Sequence, residues 1–212
     1  MITSFTTSGM PPAGRVGGKA LELMRLTAEG FPVPPGFVLE TGFFHPWMEE
    51  LAGAGDGLGE SADSLKRRCG GLAFDAGRRR ALDDALSCLV ESGPRHLYAV
   101  RSSSPEEDLE QASFAGAYET RLAVPGEKLE AAILACFASC FDERIFLYKR
   151  QKGLSVEHPS IAVIVQEFVD ADAAGVAFSL NPRNNCYDEA VINANFGLGE
   201  SVSRARWNRT SS

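Results

Sequence analysis

The sequence contains no apolar run that approaches the roughly 20 residues of a membrane-spanning helix. Its first residues, "MITSFTTSGMPPAGRVGGKA", also lack the basic and apolar regions of a secretory signal peptide. The 212 residues are 44% hydrophobic and 23% charged, which suits one large domain or two small ones with a sizeable core. The sequence therefore predicts a globular cytoplasmic protein with no membrane partner.

The chain has an excess of negative charge and few histidines. A net charge of -7 argues against a dedicated nucleic-acid surface. The three histidines, His45, His96 and His158, sit in unrelated contexts, and none is a candidate nucleophile. Cys136 and Cys140, four residues apart, would share one face of a helix. A metal pair is one interpretation, but no His or second Cys pair lies nearby, so we expect buried core cysteines.

The order of helix and strand patterns indicates an α+β fold rather than a regular βαβ repeat. In the first half, "GGKALELMRLTAEG" predicts a glycine turn followed by a helix. Its apolar stripe would be Leu21, Leu23, Met24 and Leu26. A short strand is predicted at Phe37–Leu39. We interpret the basic run 78–80 as a solvated helix face rather than as a binding patch.

The second half is richer in strand patterns. Leu129, Ile133, Phe137 and Cys140 fall on one face of a predicted helix. Around that helix, alternating or apolar runs predict five strands, with antiparallel pairing at the end of the chain. These runs are "LYAV", "ETRLAV", "SIAVIVQEFV", "AAGVAFSLNP" and "EAVINANFG".

Two segments carry groups that bind phosphate. Arg101 offers a planar fork, the serines at 102–104 offer hydroxyls, and Gly116 permits a tight loop whose N–H groups face an anion. Upstream, Lys19 follows two glycines at a predicted helix start, where the helix dipole favours negative charge. "GRVGGKA" does not have the P-loop spacing. From the residues alone, Lys19 and Arg101 are equally well interpreted as surface or salt-bridged side chains.

The motifs occur in an order that resembles a known family. "GGKA", "GFPVPPGFVLET", "YAVRSSSPEED", "SFAGAYET", "IAVIVQEFV", "AGVAFSLNP" and "NFGLGE" together resemble the ATP-binding domain of phosphoenolpyruvate synthase, pyruvate phosphate dikinase and the rifamycin phosphotransferases. The resemblance covers residues 13–202 and is weakest across 45–95. It implies an ATP-grasp type fold, in which two α+β subdomains hold ATP. We therefore expect a nucleotide-binding domain over 1–202, a subdomain break within 45–95, and an atypical, poorly ordered tail over 203–212.

The resemblance also implies which residues contact the nucleotide. Lys19 and Arg101 would contact the phosphates, and Arg101 would be the catalytic residue. Gln166 would lie on the strand that lines the adenine pocket. The implied ATP-binding residues are Lys19, Arg101, Gly116, Thr120, Gln166, Glu167 and Val169.

The metal ligands are left open by the sequence. Glu106, Glu107 and Asp108 are candidates for Mg²⁺, although a solvated acidic loop is the favoured interpretation. Glu200 is equally well read as a structural cap or as a functional residue. Asn181-Pro182 is interpreted as a turn at a strand end rather than as a ligand.

The chain departs from the family's full pattern. It lacks the phosphohistidine motif T-x-x-G-G-x-x-x-H, the pyruvate-binding domain and the later acidic stretch that supplies magnesium ligands. After "GLGESV" it continues as "SRARWNRTSS". We therefore expect a domain that is incomplete at the C-terminus, uses ATP and Mg²⁺, and turns over weakly or not at all by itself.

Three functional hypotheses follow. In the first, ATP phosphorylates a histidine on a separate domain, and pyruvate is the final phosphate acceptor, as in a pyruvate, water dikinase. In the second, the same ATP-binding domain serves an antibiotic phosphotransferase of the rifamycin type. In the third, the chain is a non-catalytic module that binds nucleotides or a partner protein.

Overall fold

The computed structural model describes residues 1–53, 61–89, 97–105, 119–145, 147 and 160–199. The chain divides into two compact units, Met1–Phe168 and Val169–Ser212, which we call the first and the second unit. The subdomain break expected within 45–95 and the domain limit at 202 stay predictions, because parts of both regions lie outside the described residues.

Helices and strands are mixed along the chain, which confirms the α+β prediction at that level. The helices are α1 (Ala13–Ala28), α2 (His45–Gly53), α3 (Ala62–Cys69), α4 (Ala76–Leu89) and α5 (Leu129–Ala138). The strands are β1 (Ile2–Ser4), β2 (Gly36–Leu39), β3 (Leu97–Ser103), β4 (Thr120–Pro125), β5 (Ala162–Glu167), β6 (Ala173–Phe178) and β7 (Val191–Phe196). Short 3₁₀ turns lie at Thr41–Phe44, Gly126–Lys128 and Ser139–Phe141.

The first unit is built on one antiparallel sheet of strand order β1-β2-β5-β3-β4. Its middle strand, β5, is buried from Ala162 to Gln166. This explains the continuous apolar run "IAVIV", because a central strand that is covered on both faces needs no alternation with polar residues. Val38 and Ile164 face α1 on one side, and Val163 and Val165 face α5 on the other.

The apolar stripe predicted for α5 is confirmed. Leu129, Ile133, Phe137 and Cys140 are all at most 1% exposed and belong to one core cluster. Cys136 lies between them, and its thiol donates to the Val100 carbonyl at 3.6 Å. The expectation of buried core cysteines is thus confirmed for this pair. Within the described ranges, no group of three or more metal-binding side chains is formed.

Two predictions about helix faces hold only in part. In α1, Met24 is buried and Leu21 and Leu23 pack against the same core cluster, whereas Leu26 is 41% exposed. The sequence did not identify Val16 and Ala20, which complete the buried face on either side of the kink at Gly17. In the basic run 78–80, Arg79 and Arg80 are exposed, as predicted. Arg78 is the exception, because its guanidinium lies 5.0 Å from the centre of the Trp47 ring and pairs with Asp75.

The second unit contains an antiparallel hairpin. Strands β6 and β7 pair from Ala173 opposite Phe196 to Phe178 opposite Val191, as the sequence predicts. Asn181 forms a bridge with Cys186 in the connection, which agrees with the predicted turn. In the described part of the chain, no helix is long and apolar enough to cross a membrane.

Candidate functional site

Three of the predicted contact residues lie on one face of the sheet. Arg101 on β3 is the register partner of Ile164 on one side and of Thr120 on the other. Directly opposed residues of antiparallel strands share a face, so Arg101 and Thr120 lie on the face that α1 covers. Gln166 lies two residues beyond Ile164 on β5 and shares that face. The structure therefore places predicted contact residues from three strands, β3, β4 and β5, on the same face of the sheet.

Lys19 reaches this face from α1. Gly17 has φ 77° and ψ 163°, a backbone conformation that interrupts the helix. This region of backbone space is essentially restricted to glycine. The helix restarts at Gly18, which places Lys19 in the first turn of the second segment, as predicted from the glycine turn. The Lys19 Nζ lies 3.4 Å from the Ser102 carbonyl oxygen, so Lys19 contacts the strand that carries Arg101.

Ser103 joins the restarted helix to β3. The Ala20 N–H donates to the Ser103 hydroxyl oxygen at 3.2 Å, and Ser103 is fully buried. This bond caps the helix from a neighbouring strand, because Gly17, at the capping position, has no side chain that accepts it. A Cβ added to Gly17 would collide with the Ser103 backbone and hydroxyl. Glycine is therefore required here for close contact as well as for backbone conformation.

Arg101 differs from the other arginines near the sheet. Its Nε is buried, and among the described residues this atom has no hydrogen-bond partner. Burial lowers the pKa of its guanidinium from the ordinary value. By contrast, Arg15 pairs with Glu40 and Arg121 pairs with Glu119. A desolvated guanidinium that lacks an acidic partner in the described structure is stabilised by a bound anion.

The hydroxyls next to Arg101 are engaged within the protein. Ser102 donates to the Glu119 carbonyl at 3.1 Å, and Ser104 donates to the Ser160 carbonyl at 3.0 Å. The prediction that they supply donors to a phosphate is therefore wrong for these two residues. Strand β3 continues to Ser103, beyond the predicted run "LYAV", so the Ser102 side chain lies within the sheet instead of projecting from a loop.

Gln166 has a fixed orientation at the end of β5. Its side-chain amide donates to the Pro34 carbonyl at 2.9 Å. Because this carbonyl can only accept, the amide nitrogen must point toward it and the amide oxygen away from it. The adjacent Glu167 N–H donates to the Pro35 carbonyl, so the "PVPP" segment is held along this strand end.

Of the remaining predicted contacts, the structure places Glu167 on the opposite face of the first unit's sheet. Glu167 is exposed and is the register partner of Tyr98, which lies on the α5 side. Val169 is 56% exposed and belongs to the second unit. Gly116 lies outside the described residues, as do the metal candidates at 106–108 and Glu200.

Sequence reasoning missed a polar network at the start of α1. Glu40 is 3% exposed and accepts two hydrogen bonds from Arg15, at 2.6 and 2.9 Å, and one from Thr3. Burial raises the pKa of the Glu40 carboxyl, but the bonds from Thr3 and Arg15 outweigh it, and the net pKa is lowered. The network anchors the short segment before Gly17. An acidic residue directly after an apolar strand, as in "FVLET", was the signal available.

The fold defines a class, the mixed α+β domains, in which Lys19 reaches the strand that carries Arg101. Within that class, the chain belongs to the family "Pyruvate phosphate dikinase, AMP/ATP-binding domain", which matches residues 13–210. This family assignment confirms the resemblance recognised in the sequence.

Curated relatives agree with this assignment. Over 88% of its length, the chain is 36% identical to the uncharacterized phosphotransferase YvkC of Bacillus subtilis and 35% identical to a probable phosphoenolpyruvate synthase of Methanocaldococcus jannaschii. Over the same share it is 33% identical to a rifampicin phosphotransferase of Bacillus cereus. It spans only 22%, 17% and 23% of these three proteins, respectively.

Proposed function

We propose that the first unit binds ATP with the phosphates against Lys19 and Arg101, as the nucleotide-binding part of an ATP-grasp type phosphotransferase. The single observation that carries this proposal is the buried Arg101 Nε, which has no hydrogen-bond partner among the described residues. The N-terminal end of the second α1 segment and Lys19 add positive potential beside the same strand. Thr120, opposite Arg101, and Gly116 would complete the phosphate end.

The adenine end of the nucleotide would lie toward Gln166. Its amide oxygen, turned away from Pro34, is an acceptor suited to the exocyclic amino group of adenine. Apolar residues of β5 adjoin it, as in most nucleobase pockets. Glu167, the next residue on β5, would contribute a backbone contact there.

In the longer protein, ATP would phosphorylate a histidine on a separate domain, and pyruvate would be the final phosphate acceptor. The probable phosphoenolpyruvate synthase among the relatives supports this reading. The role of the residues named above is to hold the polyphosphate and to stabilise its negative charge while the terminal group is transferred.

A second candidate acceptor is a rifamycin-type antibiotic. The rifampicin phosphotransferase of Bacillus cereus shares the same region at similar identity, and this observation favours the alternative. The choice of acceptor depends on parts of the longer protein beyond this domain.

Mg²⁺ would accompany ATP, but the described residues do not supply a full ligand set. No group of three or more Asp, Glu, His or Cys side chains comes together among them. We therefore assign no step to the metal and expect this chain alone to turn over ATP weakly or not at all.

The proposal is tested by titrating adenosine, AMP and ATP into the chain and into Lys19→Ala. We expect affinity to rise with phosphate number in the wild type. Lys19→Ala should lower the affinity for ATP by about tenfold or more and leave the affinity for adenosine unchanged, because adenosine carries no charge.

Lys66→Ala is the matched control for this titration. Lys66 is a half-exposed lysine that pairs with Asp142, so its removal should leave all three affinities unchanged. Equal affinity of the wild type for adenosine and ATP, or no binding of ATP, would contradict the proposed phosphate site.

A further inference from the structure

Lys19 and Arg101 belong to different elements, and a single buried side chain connects those elements. Ser103 is on β3, two residues beyond Arg101 and on the same face of the sheet. Its hydroxyl oxygen accepts the N–H of Ala20, the residue next to Lys19. Ser103 has no exposed surface and is therefore out of reach of a ligand.

The contact fixes the start of the helix segment that carries Lys19. Gly17 breaks the helix and has no side chain, so the new first turn lacks a cap of its own. The Ser103 hydroxyl satisfies an N–H of that turn from outside the helix. The close approach of Gly17 to the Ser103 backbone and hydroxyl leaves no space for the turn to shift toward the strand.

We propose that Ser103 is a positioning residue, which sets Lys19 at a fixed place relative to Arg101 and so makes one polyphosphate site from two elements. This inference rests on the proposed function, because it concerns the same ATP site. Loss of the hydroxyl would leave the Ala20 N–H without its partner and release the first turn. Lys19 would then sample several positions, and ATP would bind with a larger loss of side-chain entropy.

The test compares Ser103→Ala with Ser102→Ala in the full 212-residue chain. Ser102 is also buried, and Ser102→Ala also removes one hydroxyl hydrogen bond, the one to the Glu119 carbonyl. The Ser102 side chain, however, lies on the face of the sheet that packs against α5. We expect Ser103→Ala to lower the affinity for ATP about threefold to tenfold, in line with the strength of a helix cap. The affinity for adenosine should be unchanged. Ser102→Ala should lower the melting temperature comparably and leave the ratio of the ATP and adenosine affinities as in the wild type.

A double-mutant cycle with Lys19→Ala separates positioning from general destabilisation. If Ser103 acts through Lys19, Ser103→Ala should cost almost no further ATP affinity once Lys19 is gone. Additive losses, or an unchanged affinity ratio in Ser103→Ala, would overturn the inference. Ser103→Cys, which keeps the size but is a weaker acceptor, serves the same comparison where Ser103→Ala does not fold.

The outcomes distinguish this inference from the proposed function. If Lys19→Ala removes the preference for ATP and Ser103→Ala does not, the phosphate site is supported and the positioning role of Ser103 is refuted. If the folded wild-type chain shows no preference for ATP, both the proposed function and the inference fail.

Discussion

Gly17 shows how much a single residue decides at this site. Its φ of 77° allows α1 to be interrupted and restarted, and its lack of a side chain allows the helix to approach Ser103. Both conditions are met only by glycine. The sequence indicated a glycine turn before Lys19, but neither the positive φ nor the contact with a strand more than eighty residues later can be read from local spacing.

We expect Gly17→Ala to reduce the free energy of unfolding by about 2 kcal/mol or more, from backbone strain and from the collision with Ser103. Gly14→Ala is the control, since Gly14 lies in the helical segment before the kink and an added Cβ meets nothing there. This change should be neutral or stabilise the chain by up to about 1 kcal/mol. Urea unfolding of both variants measures the difference, and equal effects would refute the special role of Gly17.

At the scale of elements, apolar periodicity located most of the secondary structure. The face predicted for α5 and the pairing of β6 with β7 follow directly from spacing. The face predicted for α1 is right for Met24, Leu21 and Leu23, which contact the core, but Leu26 is exposed. The contact of Arg78 with Trp47 also escaped the sequence, since it depends on how α2 and α4 pack together.

An acid-sensitive contact joins α3 to the segment after α5. Hydrogen bonds from Arg144 and Lys66 lower the pKa of Asp142 from 3.8 to about 2, despite partial burial. Because the folded-state pKa is the lower one, this stabilisation is present above pH 3.8 and is lost as the pH falls toward 2.

Asp142→Asn should therefore make the free energy of unfolding less dependent on pH in this range. Urea titrations of the wild type and of Asp142→Asn, at about pH 5 and about pH 3, measure the change. An identical loss of stability in both proteins would show that Asp142 does not contribute.

For the whole molecule, the sequence predicted the family, which the family match confirms, and a mixture of helices and strands, which the structure confirms. Motif order was sufficient for this, because several motifs in one fixed order along residues 13–202 form a far more specific pattern than any one of them. The capping of α1 by Ser103 and the engaged hydroxyls of Ser102 and Ser104 were not predictable, since they depend on partners that are distant in sequence. The division after Phe168 likewise emerges only from tertiary contacts.

The central claim is that Arg101 binds the phosphates of ATP, and calorimetric titration of ATP with Mg²⁺ tests it most directly. The comparison is between the wild type, Arg101→Ala and Arg121→Ala, an arginine of the adjacent strand that pairs with Glu119. We predict that Arg101→Ala lowers the affinity for ATP about tenfold to a hundredfold and that Arg121→Ala binds ATP with the affinity of the wild type. Unchanged ATP affinity in a folded Arg101→Ala would contradict the account.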